Sequence, residues 1–321
     1  PLPPYLTVEF DREPDANSKG SGHETYTLQP GEAVNVTLTL RIKDIALIRD
    51  LNAHAKMLED ILVLRVQDGR DHFLPIRGRW LETAFGRSIE KLIRIPEGGI
   101  RRLQNQNPEG KSCLDDSRPV MWSAPRELFR LTEATEELVE RAVAEWDMVG
   151  HGEEEGEGGN EKPPWEKHAG WPFDEDSWTL TDQARREELK PGVYDALDCD
   201  KSLDSAFPAE TPALHRLEII AEVLLEFLRS LEDGIITPDL WHAIETGMIA
   251  REKAKRTVSP DEERTAVLEA MATAPNHCVA LVLVASMLSR VANEVCSAMA
   301  AKAPKEQKKG AEMPASPQKV G

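Results

Sequence analysis

The first hundred residues alternate between apolar and polar side chains, which is the pattern of β-strands that bury one face. In the clearest case, Val34 to Ile42, every second residue is apolar and most of those between are Asn, Thr or Arg. Leu62 to Val66 repeats the pattern, and Asp68-Gly69 separates it from a third run, His72 to Ile76. Because Asp-Gly between two apolar runs favours a tight turn, we expect a β-hairpin there.

Weaker strands are predicted at Tyr5 to Phe10 and Glu24 to Leu28. Several antiparallel strands with few helices favour a β-sandwich of immunoglobulin type, for which about five strands are visible and about seven are usual. We expect that N-terminal strands have been cut away. A short helix from Ser88 to Ile95 closes this predicted domain of residues 1–97. A linker rich in Gly, Asn, Pro and Ser follows over residues 98–124.

From Pro125 the apolar period changes to 3.6 residues, which predicts an all-helical domain over residues 125–302. Leu214 to Leu231 is apolar on so wide a face that we expect it to be buried nearly all round. Ser259 is a predicted N-cap. The remaining predictions are helices at 125–146, 182–190 (ended by Pro191), 238–250, 267–274 and from Asn276 to 302, then an unstructured tail, 303–321. The predicted fold class is therefore α+β, with two domains.

Charge argues against two classes of partner. The chain has 39 basic and 57 acidic residues, a formal net charge of −18, which disfavours nucleic acid and anionic lipid bound by net charge alone. From Met148 to Glu188 there are 12 acidic and 4 basic residues. Because low hydrophobicity and high charge cannot offset the entropy of ordering, we expect a disordered acidic insert at residues 150–169.

Catalytic motifs are absent from the sequence, which has no Gly-rich phosphate loop, no G-x-S-x-G and no H-E-x-x-H. The four cysteines lack zinc-ligand or disulfide spacing, which favours a reducing compartment. The longest apolar run, Cys278 to Leu288, is shorter than the ~20 residues of a membrane span and predicts a buried helix. Trp165, Trp171 and Trp178 are anchors for a partner or packed residues, and packing is favoured. The residues alone predict a cytosolic interaction module.

Two parts of the chain resemble one known family. Residues 59–78, EDILVLRVQDGRDHFLPIRG, and 84–92, AFGRSIEKL, resemble the ASH domain of type II inositol polyphosphate 5-phosphatases, the Lowe-syndrome family. Ala84 stands where that family has Cys. Residues 198–208, DCDKSLDSAFP, and 221–231, AEVLLEFLRSL, resemble the RhoGAP-like domain of the same proteins. The resemblance covers about residues 24–295 and is that of a divergent, fungal-like member.

The resemblance implies an activity for a parent protein rather than for this chain. The family's catalytic domain lies upstream of the ASH domain and uses Mg²⁺ to hydrolyse the 5-phosphate of phosphoinositides, and none of its motifs occurs here. The chain is then expected to contain no catalytic, cofactor-binding or metal-binding residue. It would act in phosphoinositide dephosphorylation, signal transduction and membrane trafficking, as a cytoplasmic module recruited by partners to endosomal and Golgi membranes.

The same resemblance raises the alternative of an active Rho-family GTPase-activating domain. Active domains insert an arginine that accelerates GTP hydrolysis by ~10³–10⁵-fold, and Thr179 lies nearest that position in this chain. Leu225 stands where active members have Lys, and their later Asn has no counterpart. We therefore expect Rho-family GTPases to be bound at most, without activation. We also expect no buried Arg or Lys beside Trp178.

Partner sites also follow from the resemblance. In the family, Rab GTPases bind the last ASH strands and the following helix, a surface that here includes Phe85, Ile89 and Leu92. This implies that Phe85→Val weakens Rab pulldown while the melting temperature stays within a few degrees. The alternative is that Phe85 belongs to a core on which the helix packs. The family's helical domain also binds short peptides bearing Phe and His, and Phe129 falls near that face.

Overall fold

The computed structural model describes residues 3–15, 25–106, 119–148, 162–168, 170–253 and 259–309. The chain separates into two compact units, Pro1–Trp80 and Leu81–Gly321. The strands lie in the first unit and most helices in the second, so the architecture is a small β part followed by a helical region. The segments predicted as the exit helix and linker of the first domain belong to the second unit.

The first unit contains two separate antiparallel pairs of strands. Within the described residues β1 (Leu6–Phe10) pairs with β2 (Val36–Leu40), and β3 (Leu58–Leu64) pairs with β4 (His72–Gly78). The first two strands lie within their predicted runs and β4 begins at the predicted His72, but β3 begins four residues before the predicted Leu62 and ends two residues before Val66. Residues 25–28 of the weak fifth strand have no regular structure.

A helix that the strand pattern did not predict, α1 (Ile45–Asn52), lies between β2 and β3. Asp44 caps it, because its side chain accepts a hydrogen bond of 2.9 Å from the backbone N–H two residues further on. Leu51 is 1% exposed, and Trp80 Nε1 donates a 3.0 Å hydrogen bond to the Asn52 side chain. The helix thus supplies one of the few fully buried side chains of this unit.

The hairpin predicted around Asp68-Gly69 is confirmed, but its turn is longer than two residues. Strand β3 ends at Leu64 and β4 begins at His72. Only Asp68 of the pair has a positive φ, +56°, a conformation that Asp tolerates better than most residues. The N–H of Gly69 donates to the Val66 oxygen at 3.0 Å, which closes a turn inside the longer loop.

All the regular secondary structure described in the second unit is helical. Two 3₁₀ turns, Glu175–Ser177 and Leu203–Ala206, accompany the α-helices. The helices are α2 (Ile89–Leu92), α3 (Gly99–Gln106), α4 (Arg126–Met148), α5 (Pro164–Lys167), α6 (Gln183–Asp198), α7 (Ala213–Ser230), α8 (Pro238–Lys253), α9 (Pro260–Met271) and α10 (Pro275–Lys309).

Helix α7 is the centre of this unit and is buried nearly all round, as predicted. Ile219, Ile220 and Phe227 have no exposed surface. Helices α4 and α6 pack against α7, and α10 packs against α4. Each large apolar side chain buried in this way contributes about 1.5–3 kcal/mol, so the shared core is the main stabilising contribution in the unit.

Helix α6 runs through Pro191, so the prediction that Pro191 ends it is wrong. A proline inside a helix costs about 3 kcal/mol. Val193 and Leu197 are buried on the same helix and offset that cost. Gly192 allows a close approach to the following turn, because a Cβ there would stand 2.5 Å from the backbone oxygen of Ala206.

Helices α8 and α9 pack with the start of α10 in a second, smaller apolar cluster. Its buried members are Leu240, Ile244 and Met271. The N-cap predicted at Ser259 is confirmed as a capping box, in which the Ser259 side chain and the Glu262 side chain each bind the other residue's backbone N–H. Helix α9 therefore begins earlier than the apolar pattern indicated.

Helix α10 begins at Pro275, so Asn276 is not its cap as predicted. The Asn276 side chain instead accepts a hydrogen bond from the backbone N–H of Ser123 and donates to the Val120 oxygen and the Glu90 carboxylate. It is 3% exposed. This buried amide therefore ties the start of α10 to α2 and to the segment that precedes α4.

Helix α10 is longer than predicted and continues to Lys309, so residues 303–309 of the predicted tail are helical. By length and composition alone, Pro275–Ala300 is long and apolar enough to cross a membrane, and 17% of its most apolar window is buried. Met287 and Val291 pack in the main core. In this structure the helix therefore buries one side, rather than being enclosed as its apolar run predicted.

Two stretches predicted to be irregular contain helices. Helix α3 lies in the predicted linker, and α5 lies in the predicted acidic insert. Trp165 of α5 is 3% exposed and packs against Trp146 and Trp171, and Trp178 is buried as well, so packing is confirmed for the three tryptophans. Residues 150–161 and 169 of the insert, and 310–321 of the tail, lie outside the described residues.

Two glycines, one in close contact with a neighbouring helix and one in open space, give a matched test of the packing of the second unit. Gly99 has φ +73°, and a Cβ there would stand 2.2 Å from the Asp198 backbone oxygen, so Gly99→Ala should lower the free energy of unfolding by at least about 2 kcal/mol. Gly247 lies inside α8 with nothing within 4 Å of the added Cβ. Gly247→Ala should raise stability by about 0.5–1 kcal/mol. Urea denaturation followed by circular dichroism measures both, and equal effects would contradict the packing.

Candidate functional site

The three side chains predicted to contact a Rab are buried in the second unit. Phe85, Ile89 and Leu92 are 8%, 0% and 1% exposed. Phe85 packs edge-on against Tyr194 and Phe227, with ring centroids 5.2 and 5.4 Å apart. The structure therefore favours the alternative, in which Phe85 belongs to a core on which the helix packs, because α2 turns its apolar side into the helical core.

The burial of Phe85 changes what its substitution would do. Phe85→Val removes ring atoms from a packed core, and each buried CH₂-sized group contributes about 0.8 kcal/mol. A nearly unchanged melt is therefore no longer expected. The exposed residues of α2 are Glu90 and Lys91, and Lys91 pairs with Glu232 at 2.9 Å. A partner that binds α2 in this conformation meets these charged side chains.

A buried carboxylate, Asp198 at the end of α6, fixes the segment that carries Phe85. Its Oδ1 accepts hydrogen bonds from the Thr83 hydroxyl at 3.0 Å and the Ala84 N–H at 2.9 Å, and its Oδ2 accepts from Arg101 at 3.0 Å. Burial raises the pKa of Asp198 to about 6, although these donors and Arg101 favour its ionised form. Ala84 contributes through its backbone, so this contact does not need the Cys of the family.

Glu127, in the first turn of α4, is a second buried carboxyl group. It is 3% exposed, and its Oε2 has no hydrogen-bond partner among the residues the structure describes. Burial raises the pKa of Glu127 to about 7, and the nearby charges of Asp198 and Asp200 act in the same direction. This carboxyl group therefore changes between its protonated and ionised forms near neutral pH.

Thr179, nearest the arginine-finger position, is tied to the helical core by Glu218. The Thr179 N–H donates to Glu218 Oε1 at 2.7 Å, its hydroxyl lies 3.0 and 3.1 Å from the two carboxylate oxygens, and the Leu180 N–H donates at 2.9 Å. Glu218 has no exposed surface. Leu225, on the same helix, is half-buried. Neither predicted position carries a positive charge.

A basic residue is nevertheless buried beside Trp178, so the expectation that none lies there is wrong. The Arg186 guanidinium lies 4.8 Å from the centre of the Trp178 ring and pairs with Glu175 at 2.5 Å. Lys190 is 4% exposed and lies 2.9–3.1 Å from carboxylate oxygens of three residues. Burial lowers the pKa of Lys190, but the hydrogen bonds to these carboxylates outweigh that effect and raise it. The three are Glu187, Glu222 and Glu226.

The position assigned to peptide binding, Phe129, is accessible. It lies in the first turns of α4 and is 49% exposed. Two residues of the segment before α4, Met121 and Trp122, are 60% and 64% exposed. Trp122 has φ +58°, a strained conformation for a bulky residue, and Asn276 holds the residues on either side of it. The role of Phe129 in peptide binding stays a prediction.

An open groove of about 230 Å³ lies between α4, the 203–206 turn and α7. Its apolar lining includes Leu138, Phe207 and Ile220, and Glu133 and Glu137 are among its charged residues. None of the six residues predicted from the sequence lines it. Among the described residues, no three His, Cys, Asp or Glu side chains are grouped to hold a metal ion.

Sequence reasoning missed the buried charges that position these segments. Glu218 lies between Leu217 and Ile219 on a helix that the pattern predicts to be enclosed. A charged residue in that setting needs internal partners, which is the signal that could have identified it. Asp198 and Lys190 gave no comparable signal, because neither lies on a helix that the pattern predicts to be enclosed.

A comparison with known protein families matches residues 22–80 to the ASH domain of inositol polyphosphate 5-phosphatase OCRL-like proteins. The match includes the motif at 59–78 and ends at Trp80, where the first unit ends. It supports an ASH domain of this type over that segment. The likeness of the helical unit to a RhoGAP-like domain rests on its sequence motifs alone.

The raised pKa of Glu127 gives a pH test of the second unit. The folded state keeps the proton up to about pH 7, whereas the ordinary pKa is 4.5, so this stabilisation is full below pH 4.5 and is lost as pH rises through 7. Glu127→Gln, which is neutral at every pH, should raise the free energy of unfolding by about 2 kcal/mol near pH 8 and by little near pH 5. Urea denaturation at both pH values measures this.

Glu133→Gln is the matched control, because Glu133 is exposed on the same helix. Its effect on stability should be small at both pH values. An equal pH dependence of the two variants would contradict a buried, proton-holding Glu127.

Proposed function

We propose that this chain is a non-catalytic docking module of a phosphatidylinositol 4,5-bisphosphate 5-phosphatase. The match of residues 22–80 to an OCRL-like ASH domain carries this proposal, because it supports a targeting and interaction role for the first unit. The module would complete an immunoglobulin-like sandwich around its four strands and join it to a RhoGAP-like helical unit. Mg²⁺ and the hydrolytic residues would belong to the phosphatase domain of the parent protein.

The helical unit supports a docking role rather than GTPase activation. Thr179 offers a neutral hydroxyl where an activating arginine is needed, and Glu218 holds both its hydroxyl and its N–H. A GTPase bound here would receive no additional positive charge from that position, and this charge is the source of acceleration by an arginine finger. Rho-family GTPases would therefore be bound without activation.

Rab GTPases are the proposed partners of the ASH-type unit and of α2, and short Phe- and His-bearing peptides are the proposed ligands near Phe129. On α2 the exposed charges of Glu90 and Lys91 would contact the Rab, while Phe85 supports them from the core. Recruitment by such partners would place the chain in the cytoplasm, peripheral to endosomal and Golgi membranes.

Active Rho-family GTPase activation is the second candidate, and one observation favours it. Arg186 and Lys190 are buried cations on α6, and the Arg186 guanidinium lies over the Trp178 ring. Both are paired with carboxylates, however, so either would have to leave its partners to reach a nucleotide. Removing one partner of a buried charge pair, such as that of Lys190 with Glu222, costs about 3–5 kcal/mol, which favours the docking role.

Capture of a Rab tests the contact on α2. Lys91→Glu should weaken capture of a GTP-loaded Rab by the full chain about tenfold, because it reverses an exposed charge on that helix. Lys201→Glu is the matched control, since Lys201 is similarly exposed and also pairs with one carboxylate, Asp195. Surface pairs contribute about 0–1 kcal/mol, so neither variant should unfold. Equal capture by the two variants would contradict this contact.

Two activity assays test the non-catalytic role. The full chain should not hydrolyse phosphatidylinositol 4,5-bisphosphate in the presence of Mg²⁺, because no phosphatase motif is in its sequence. It should leave single-turnover GTP hydrolysis by Rho-family GTPases at the intrinsic rate. Acceleration that Arg186→Ala or Lys190→Ala removes, with the fold retained by circular dichroism, would establish the second candidate instead.

A further inference from the structure

The β3–β4 hairpin has one face that the rest of its unit leaves open. We call it the open face. Because side chains alternate between the two faces of a strand, the open face contains every second residue of β3 and of β4. The antiparallel register places them in four cross-strand pairs: Glu59 with Arg77, Ile61 with Pro75, Val63 with Phe73, and Arg65 with Asp71 just beyond the strand ends.

The centre of the open face is apolar and exposed. Ile61, Val63 and Phe73 are 58%, 47% and 67% exposed. The opposite face is covered at one end, where Leu58 is 7% exposed and Leu62 is half-buried, and is exposed at the other, where Leu64 and Leu74 are 50% and 49% exposed. An isolated two-stranded hairpin is at best marginally stable in water and gains stability when an apolar face is covered. An exposed apolar patch bounded by charges is typical of a protein–protein contact.

The four corners of the open face carry charges of alternating sign. At one end Glu59 pairs with Arg77 at 3.6 Å, and at the other Arg65 pairs with Asp71 at 3.9 Å. The acid lies on β3 at the first end and beside β4 at the second. Each acidic corner therefore has a basic corner beside it along the strand as well as across it.

This arrangement is complementary to itself. When two copies stack face to face, a two-fold axis along the strands places Glu59 over the second copy's Arg77. An axis across the strands places Glu59 over the second copy's Arg65. In both cases every corner meets the opposite charge, while the apolar centres meet each other. A contact of this kind, in which the same patch serves both copies, is the commonest form of protein dimer.

Charge also favours this unit over the helical one as the place of contact. Residues 1–80 contain 10 basic and 12 acidic residues, which leaves 29 basic and 45 acidic residues in the rest of the chain. Association through the helical unit would bring together strongly negative surfaces, and the repulsion between them would oppose it. The first unit is close to neutral.

We propose that the open face of the β3–β4 hairpin is a docking surface for a second copy of this chain. The two hairpins form a face-to-face pair, with Ile61, Val63 and Phe73 of each copy at its centre and the charged pairs at its rim. The proposal rests on the hairpin and does not depend on the identity of any other partner.

Sedimentation velocity of the full chain at about 1 to 100 µM tests the proposal. The expected result is a concentration-dependent monomer–dimer equilibrium. Phe73→Thr should raise the dimer dissociation constant at least about tenfold, because the substitution counts twice in a symmetric contact. Leu74→Thr is the matched control, since Leu74 is the next residue, is 49% exposed and lies on the opposite face. It should leave the dissociation constant within about threefold.

Charge reversal supplies an independent arm of the test. Arg77→Glu should also weaken the dimer at least about tenfold, because it places like charges together under either axis. Reversing all four corners restores the alternation, so that variant should dimerise like the original chain. The four substitutions are Glu59→Arg, Arg65→Asp, Asp71→Arg and Arg77→Glu, all at residues whose side chains are at least 46% exposed.

Three results would overturn the proposal. A chain that stays monomeric throughout the range has no second-copy contact, and the open face then serves another polypeptide or none. Equal weakening by Phe73→Thr and Leu74→Thr would show that the hairpin fold, rather than its open face, matters. A four-fold reversed variant that stays monomeric while circular dichroism shows it folded would show that the corner charges do not direct the contact.

Discussion

The helical unit depends on one buried carboxylate, Asp198, which accepts hydrogen bonds from residues far from it in the sequence. Asp198 is 1% exposed and binds Thr83, Ala84 and Arg101, which lie about a hundred residues earlier in the sequence. An unpartnered buried carboxylate would cost several kcal/mol, so the acid and its donors hold one another in place. These hydrogen bonds hold the segment that begins the second unit against the helical core, and Phe85 therefore lies in that core.

Periodicity predicted the parts of the fold that depend on burial alone. Helix α7 follows one clear period along its length, and the hairpin β3–β4 was indicated by its two apolar runs and the Asp-Gly between them. Helix α1 was not predicted because it is short and lies between strands. The predicted α6 was too short because Pro191 usually ends a helix, and the sequence does not show the core packing that lets α6 continue past it. Local propensity is a weak guide wherever tertiary packing opposes it.

The candidate site was harder to predict than the fold. Thr179 and Leu225 could be recognised as uncharged from the sequence, but the neighbours that neutralise Arg186 come from another helix and another turn. Phe85 illustrates the same limit, since a motif identifies a residue without showing whether it faces a partner or the core. Contacts between residues far apart in the sequence decide both questions, and the alternation of apolar and polar positions contains no record of them.

The first unit and the helical unit differ in net charge and in the apolar surface that they expose. One is nearly neutral and exposes apolar strands, whereas the other carries most of the negative charge and uses its internal cations in ion pairs. Two copies joined through the hairpins would present two helical units at once. Binding to a partner displayed on a membrane would then gain from effective concentration without any new contact.

Glu127 gives the chain a property that its formal charge of −18 conceals. Burial raises the pKa of Glu127 to about 7, so it holds a proton more strongly than an exposed glutamate does, and the hydrogen bond to Asp233 raises the pKa of His277 in the same direction. Unfolding releases these protons to the buffer. The heat absorbed on melting therefore includes the buffer's own enthalpy of ionisation, so phosphate and Tris solutions at one pH will give different calorimetric enthalpies for the same protein.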